Sequence, residues 1–390
     1  MKYSHYLLEN ENAIELDERY EIAINWTRDD SKNYQQLGER FYKCGVTVFE
    51  EIINSGHDNI KTDEWFMPAI YMIRQAIELV IKSILCYQIR DRHVLQDIFL
   101  EHKHDLISLW KICFKDNITA LLEDEKDWIC SYLISLEKID KNSSLFRFPF
   151  NDEFLDKYRN DFIDVVDTAN SIVKAFDIVY KFKTREGEIN CQCYNEVKPV
   201  FLSMSNHGIG NCSLWESARE GGFARKIEGY MDVADYLFYC CPQIDMNAKL
   251  YPIMFLVRNA VELGLKRFYS VNLTQGIICK GVKNSHDLSE LWKHAYPMLL
   301  FYARESDEEI SVLQFANKAI RAFRLLDKNG DMFRYPCTYS FEYKLNNTNF
   351  NALRKYEYYM GLADFLDNCN WMLKSIEEYE YEKSLYEYCF

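Results

Sequence analysis

An all-α protein of two similar four- to five-helix bundles is what this sequence predicts, with minor β structure in a linker and after a second Arg-Tyr-Pro. Three observations predict it. The first is a repeat: residues 68–82 read PAIYMIRQAIELVIK and residues 252–266 read PIMFLVRNAVELGLK. Each copy is followed by His-Asp-Leu and a Trp, then by Asp-Lys-Asn and an Arg-aromatic-Pro, with offsets of 182 to 187 positions. Three markers in one order imply two copies of one supersecondary unit. The second is the scarcity of turn formers, 14 glycines and 7 prolines in 390 residues, which suits long helices better than a many-stranded sheet. The third is apolar residues recurring at helical spacing through most of the chain.

The repeat divides the chain into an arm (1–32), a first bundle (33–185), a linker (186–217) and a second bundle (218–390). Two units of this size fit the usual range for single cores. Hydrophobic residues at 48% and aromatics at 15% supply ample core material, so disorder is not expected. The formal charge of −14 excludes a general cationic sheath for nucleic acid and leaves a local basic cleft open. The 13 cysteines are scattered. The nearest groupings, Cys191-Gln-Cys193 and Cys240-Cys241, lack the paired spacing of a zinc site, and reduced, mostly buried thiols are expected. The first residues carry no apolar signal region and no run is apolar enough to span a bilayer, so a cytoplasmic location is expected.

The arm is polar and is expected to pack on the first bundle. The first helix of each copy reads YQQLGERFYKCGVTVFEEIINSG and FARKIEGYMDVADYLFYCC. The matched helices follow, each with a proline expected near its start, where a missing N–H costs little. His-Asp-Leu then opens a third helix, with the Asp at the positive end of its dipole. A further helix runs to Asp-Lys-Asn in each copy, and the last helices are expected over residues 153–182 and 353–382. The linker is the least helical stretch; its strands are expected to pair with residues 338–345, which alternate like a strand.

On a helix, Arg74, Glu78 and Lys82 form one polar stripe, as do Arg258, Glu262 and Lys266. A solvated face is the plain reading of such a stripe. Both helices are apolar on most other sides, however, so the charges are expected to be buried and paired, with His104-Asp105 and His286-Asp287 as partners. His104 and His286 are placed alike in both copies, whereas His102 faces Asn284 in the second, which argues against a metal site at His102-Lys103-His104. A histidine at a helix start is more often structural than catalytic. Arg147 and Arg334, between aromatic residues, suit either a cation–π brace or a phosphate ligand. No Walker, GxGxxG, HExxH or GxSxG pattern occurs.

Ala76, Glu78, Lys82 and His104-Asp105-Leu106, and again Ala260, Glu262, Lys266 and His286-Asp287-Leu288, resemble the HEPN superfamily of small helical bundles. The resemblance covers the core of each half. It implies a bundle that works as a dimer with its site at the dimer interface, so that two copies in one chain resemble an intramolecular pseudo-dimer. Further homo-oligomerisation stays open. Many members are metal-independent ribonucleases of prokaryotic defence or toxin systems, and others bind nucleotides or partner proteins. The ribonucleases carry an Arg, a polar residue and, a few positions on, a His. Here Arg258-Asn259 begins that pattern, but Leu263, Gly264 and Leu265 stand where the His would fall, and Leu79, Val80 and Ile81 stand there after Arg74-Gln75. A catalytic site between the bundles would then draw on Arg74, His104, Arg147, Arg258, His286 and Arg334. Glu78, Lys82, Asp105, Glu262, Lys266 and Asp287 would bind ligand or form a network. The partners implied are RNA or a nucleotide, or a partner protein, with no membrane, metal or cofactor. The alternative is a non-catalytic binding or sensor module whose repeated polar residues are structural.

Overall fold

A computed structural model describes residues 4–56, 58–114, 121–158, 160–184, 196–214, 222–271, 284–305, 310–343 and 345–388. Among these the fold is mostly α, with twelve α-helices and two small sheets. The helices are α1 (Asp30–Asn54), α2 (Phe66–Gln88), α3 (Arg92–His102), α4 (Leu106–Cys113), α5 (Glu123–Asp140), α6 (Asp152–Tyr158) and α7 (Val165–Thr184). They continue with α8 (Ala224–Asp235), α9 (Met246–Arg267), α10 (Leu288–Glu305), α11 (Ser311–Leu326) and α12 (Ala352–Tyr388). The strands are β1 (Glu21–Ile24), β2 (Phe162–Ile163), β3 (Met204–Ser205), β4 (Cys212–Ser213) and β5 (Thr348–Asn351). None of the described helices is long and apolar enough to cross a membrane.

The chain forms two compact units, and both are discontinuous. The larger comprises Ile24–Ile253 with Phe333–Thr348; the smaller comprises Met1–Ala23, Met254–Met332 and Asn349–Phe390. The repeat cuts the chain once, near the linker. The compact units cut it inside α9 and return the Arg334-Tyr335-Pro336 segment to the larger unit.

In the larger unit α2 is the central element. Every residue from Phe66 to Cys86 is buried, and α1 and α7 pack along it. Asp29 starts α1 by accepting a hydrogen bond from the Lys32 backbone N–H at 3.1 Å, satisfying a donor that the first turn leaves open. A single π-turn, Lys61–Trp65, leads directly into α2. Pro68 cannot donate to the Glu64 carbonyl one turn back. The backbone of α8 closes on that carbonyl through Gly229, whose added Cβ would collide with Glu64 O and C. Gly229→Ala is therefore expected to destabilise the protein by about 1–3 kcal/mol, because the obstruction is backbone rather than a flexible side chain. Denaturant unfolding of the variant checks it; an unchanged midpoint would refute the close approach.

Several sequence expectations change. The last helix expected over 153–182 is two helices, α6 and α7, separated by β2. Both edges of β2 are occupied, by β3 (Phe162 opposite Ser205) and β4 (Phe162 opposite Ser213), both antiparallel. Asp164 then caps α7 by accepting from the Asp167 N–H at 2.8 Å. The linker does supply β structure, but its partner is β2 rather than residues 338–345. The described residues of that segment form turns and coil, and the strand after Arg334-Tyr335-Pro336 is β5, paired with β1. Pro252 lies inside α9, not near its start. Cys191 and Cys193 lie outside the described residues.

The arm departs from expectation in part. Its described residues up to Ala23 belong to the smaller unit and run along α12, rather than on the first bundle, whereas residues 24–32 belong to the larger unit. His5 Nδ1 is 2.9 Å from Glu357 Oε2, the His5 N–H donates to Asp364, and Arg354 Nε donates to the Ile14 carbonyl at 2.8 Å. Lys355 pairs with Glu11.

Candidate functional site

In the larger unit α2 carries Arg74, Glu78 and Lys82 one turn apart, and each of these side chains is at most 1% exposed. Arg74 Nη1 donates to Glu78 Oε2 at 2.6 Å, and Lys82 Nζ donates to Glu78 Oε1 at 2.8 Å. Arg74 Nη2 donates to the His104 carbonyl at 3.0 Å, which ties α2 to the turn before α4. Its Nε lies 3.3 Å from Asp140 Oδ2. His104 Nδ1 is 3.1 Å from Glu78 Oε1, and the Tyr335 hydroxyl donates to the same oxygen at 2.6 Å. The Lys82 ammonium also sits 4.5 Å from the Tyr335 ring centroid. Asp140 holds its own turn by accepting the Ser144 and Leu145 N–H groups at 2.8 and 2.9 Å.

The smaller unit holds the same arrangement. Arg258 Nη1 donates to Glu262 Oε2 at 3.0 Å and Nη2 to the His286 carbonyl at 2.7 Å. Arg258 Nε lies 3.8 Å from Asp327 Oδ2. Lys266 Nζ is 2.7 Å and His286 Nδ1 is 2.8 Å from Glu262 Oε1. Asp327 accepts the N–H groups of Gly330, Asp331 and Met332. Gly330 has φ +76°, a conformation that costs glycine little. The corresponding Ser143 adopts φ +57° with a buried hydroxyl that has no hydrogen-bond partner. Ser143→Gly is therefore expected to stabilise the protein by up to about 1 kcal/mol. A lowered melting temperature would contradict that.

Burial alone would raise the Glu78 carboxyl, but Lys82, His104 and Arg74 together hold it well below the usual carboxylate range. Glu262 is likewise depressed against its burial, by His286, Arg258 and Lys266. Burial pushes the His104 imidazole down to about 4 despite the neighbouring Glu78 carboxylate. His104 is thus neutral at pH 7, and its Nδ1–H donates to the ionised Glu78. Asp327 is raised by burial, which Arg258 only partly offsets.

Eight of the twelve sequence candidates meet in these two networks: Arg74, Glu78, Lys82 and His104 in one, Arg258, Glu262, Lys266 and His286 in the other. Asp105 and Asp287 stand beside them in other roles. Asp105 caps α4 through the Ser108 N–H and pairs with Lys141 at 3.0 Å; Asp287 accepts from the Ser289 N–H and pairs with Arg324 at 2.8 Å. Arg147 is buried, its guanidinium 4.8 Å from the Phe148 ring centroid. Arg334 belongs to the larger unit, where its carbonyl accepts from Gln75 Nε2 at 3.0 Å and its Nη2 lies 3.5 Å from Gln75 Oε1. It is therefore grouped with α2 and not with His286.

Three further residues were missed as site candidates. Asp140 and Asp327 open the repeated Asp-Lys-Asn turns, and that repetition was the available signal. Tyr335 had none beyond its place in Arg-Tyr-Pro. A separate buried cation, Lys226 on α8, donates to the Leu145 carbonyl at 2.6 Å and to the Phe148 carbonyl, with its ammonium 3.8 Å from the Phe150 ring centroid. Burial pushes its pKa down to about 7. Among the described residues no group of His, Cys, Asp or Glu is arranged to hold a metal ion.

Chemically, each network is a set of charges that neutralise one another out of water. Each arginine donates to a glutamate and a backbone carbonyl and keeps its Nε, without a hydrogen bond, within ion-pair distance of an aspartate, and the imidazoles are the members that reach solvent, with side chains 20% exposed at His104 and 46% at His286. No family model, curated protein or solved structure matches the chain.

Proposed function

We propose that this protein is a HEPN-like binding module, directed to RNA, a nucleotide or a partner protein, in which the repeated charged residues hold the fold rather than cut RNA. One observation carries the reading: Arg74 and Arg258 are 0% and 2% exposed, and each guanidinium is committed to a Glu, an Asp and a His carbonyl. An arginine that stabilises a phosphate must present donors to it. These two have theirs turned inward, and exposing them would leave buried carboxylates unpaired. The family resemblance supplies the biological setting, a prokaryotic defence or toxin-type system, as part of the same proposal.

A second reading is favoured by the histidines. An imidazole held against a buried carboxylate can be oriented as a general base, and His104 and His286, each with Nδ1 beside such a carboxylate, both meet solvent. One experiment separates the two. Purified protein is incubated with tRNA and with total RNA in EDTA, beside a His104→Ala/His286→Ala double variant. The binding-module reading expects no cleavage by either. Cleavage by the wild type that the folded double variant loses would replace it with a metal-independent ribonuclease.

A further inference from the structure

We infer that the face of α12 between Trp371 and Tyr386 docks an arginine-rich helical segment of a partner protein. The inference rests on no role for the buried networks. It starts from side chains that would ordinarily be covered: Trp371 is 38% exposed, Tyr379 68%, Leu385 49% and Tyr386 71%. Together with Glu378 and Glu382, both exposed, they recur at spacings of three, four and seven, so they share one side of the helix. At 1.5 Å per residue the stretch is about 22 Å long, enough to lie against about four turns of another helix. Contiguous aromatic and aliphatic exposure of this kind marks an interaction surface rather than scattered surface residues.

Charge selects the partner. Residues 371–386 hold four glutamates against two lysines, and the whole chain carries −14, so a second copy and a nucleic acid are both repelled. A basic partner is attracted.

The same helix shows which basic group fits. Just before the exposed stretch, the Arg267 guanidinium lies 4.5 Å from the Trp371 ring centroid, while its Nη1 is 3.2 Å from Asp367 Oδ1. Asp367 and Trp371 are an acid and an aromatic residue at i and i+4, one clasping the edge of the guanidinium and the other its face. Glu382 and Tyr386 repeat that order and spacing, and Glu378 with Tyr379 and Glu382 extends the alternation of acid and ring. Arginine exploits both surfaces at once, through its planar fork and its stacking face, whereas lysine offers only a point charge. The face is thus a continuation, open to solvent, of an arginine site already filled inside the smaller unit.

The test uses the full chain and a fluorescein-labelled 21-residue amphipathic peptide with arginine on one face and leucine and alanine elsewhere, titrated by fluorescence anisotropy. Binding is expected in the micromolar range and is expected to weaken with added salt. Tyr379→Ala/Tyr386→Ala and Glu378→Lys/Glu382→Lys should each weaken it about tenfold or more, and the lysine version of the peptide should bind several-fold more weakly. All four positions are exposed, and circular dichroism will confirm that the variants stay folded. Three results would overturn the proposal: no binding at millimolar peptide, binding that the tyrosine substitutions leave unchanged, or a concentration-dependent dimer that the same substitutions disperse. The second would show bulk charge attraction only, and the third would place a second copy on this face.

Discussion

Replacing Glu78 with alanine is expected to destabilise the larger unit by about 3–5 kcal/mol, the cost typical of removing one partner from a buried ion pair. The expectation is at the upper end because Glu78 serves four groups. Arg74, Lys82, His104 and the Tyr335 hydroxyl all bond its two oxygens, and only His104 among them reaches water. Glu78→Gln keeps the size and part of the hydrogen bonding but not the charge, so it should fall between wild type and alanine. An Arg74→Met/Glu78→Met double variant should lose less than the sum of its single variants, because neither charge is then left alone. The pH dependence follows in sign. A carboxyl whose folded pKa is depressed contributes stability that is present above its unfolded value of about 4.3 and is lost as pH falls through the folded value. Wild type should therefore lose stability in acid more steeply than Glu78→Gln. Chemical denaturation at pH 7 and at pH 3 measures both effects, and a Glu78→Ala variant within 1 kcal/mol of wild type at pH 7 would remove Glu78 as the hub.

The second large effect is expected at Lys226 and falls in a different, alkaline pH window. Its folded pKa of about 7 lies below the ordinary lysine value of about 10.4 in an unfolded chain. Between these values the unfolded chain binds the proton that the folded chain has released, so stability rises with pH across that window. Below pH 7 the contribution is flat and at its least. The neutral amine still has two N–H groups, matching the two carbonyls, Leu145 and Phe148, that accept from it. Relative to Lys226→Met, wild type should gain about 4 kcal/mol between pH 7 and pH 10, from about 1.4 kcal/mol per pH unit. Parallel unfolding curves for the two proteins across that range would show that the ammonium is not buried in the folded state.

What could be read from sequence depended on the range of each interaction. The Arg74-Glu78-Lys82 stripe was legible because one helical turn brings those residues together wherever the helix sits. Their burial was legible too, from the apolar residues around them. The participation of His104 and His286 was foreshadowed by their place in both copies. Asp140 stands 66 residues from Arg74 and Tyr335 stands 257 from Glu78, and no spacing rule reaches that far. The repeat also states equivalence without stating neighbourhood. It pairs Arg334 with Arg147 by rank, and so places Arg334 beside His286, whereas the chain carries that turn to Gln75 in the other unit. The broken helix at β2 was hidden for a related reason, since residues 162–163 become a strand only when residues 204–205 and 212–213 arrive on either side.

The division of each unit among distant segments sets an order of events during synthesis. Residues 24–253 can leave the ribosome and begin to collapse, but Glu78 meets the Tyr335 hydroxyl only after roughly 80 more residues have been made. Until then Lys82 has the Phe99 ring beside it but not that of Tyr335, and part of α2 lacks its final cover. Contacts this far apart in sequence close late and slowly. The nascent chain therefore passes through a stage in which its central buried helix is incompletely sheltered, the stage at which such chains aggregate or recruit chaperones. For the same reason a scission in the linker would not release two self-sufficient halves, because each side would keep segments that the other needs.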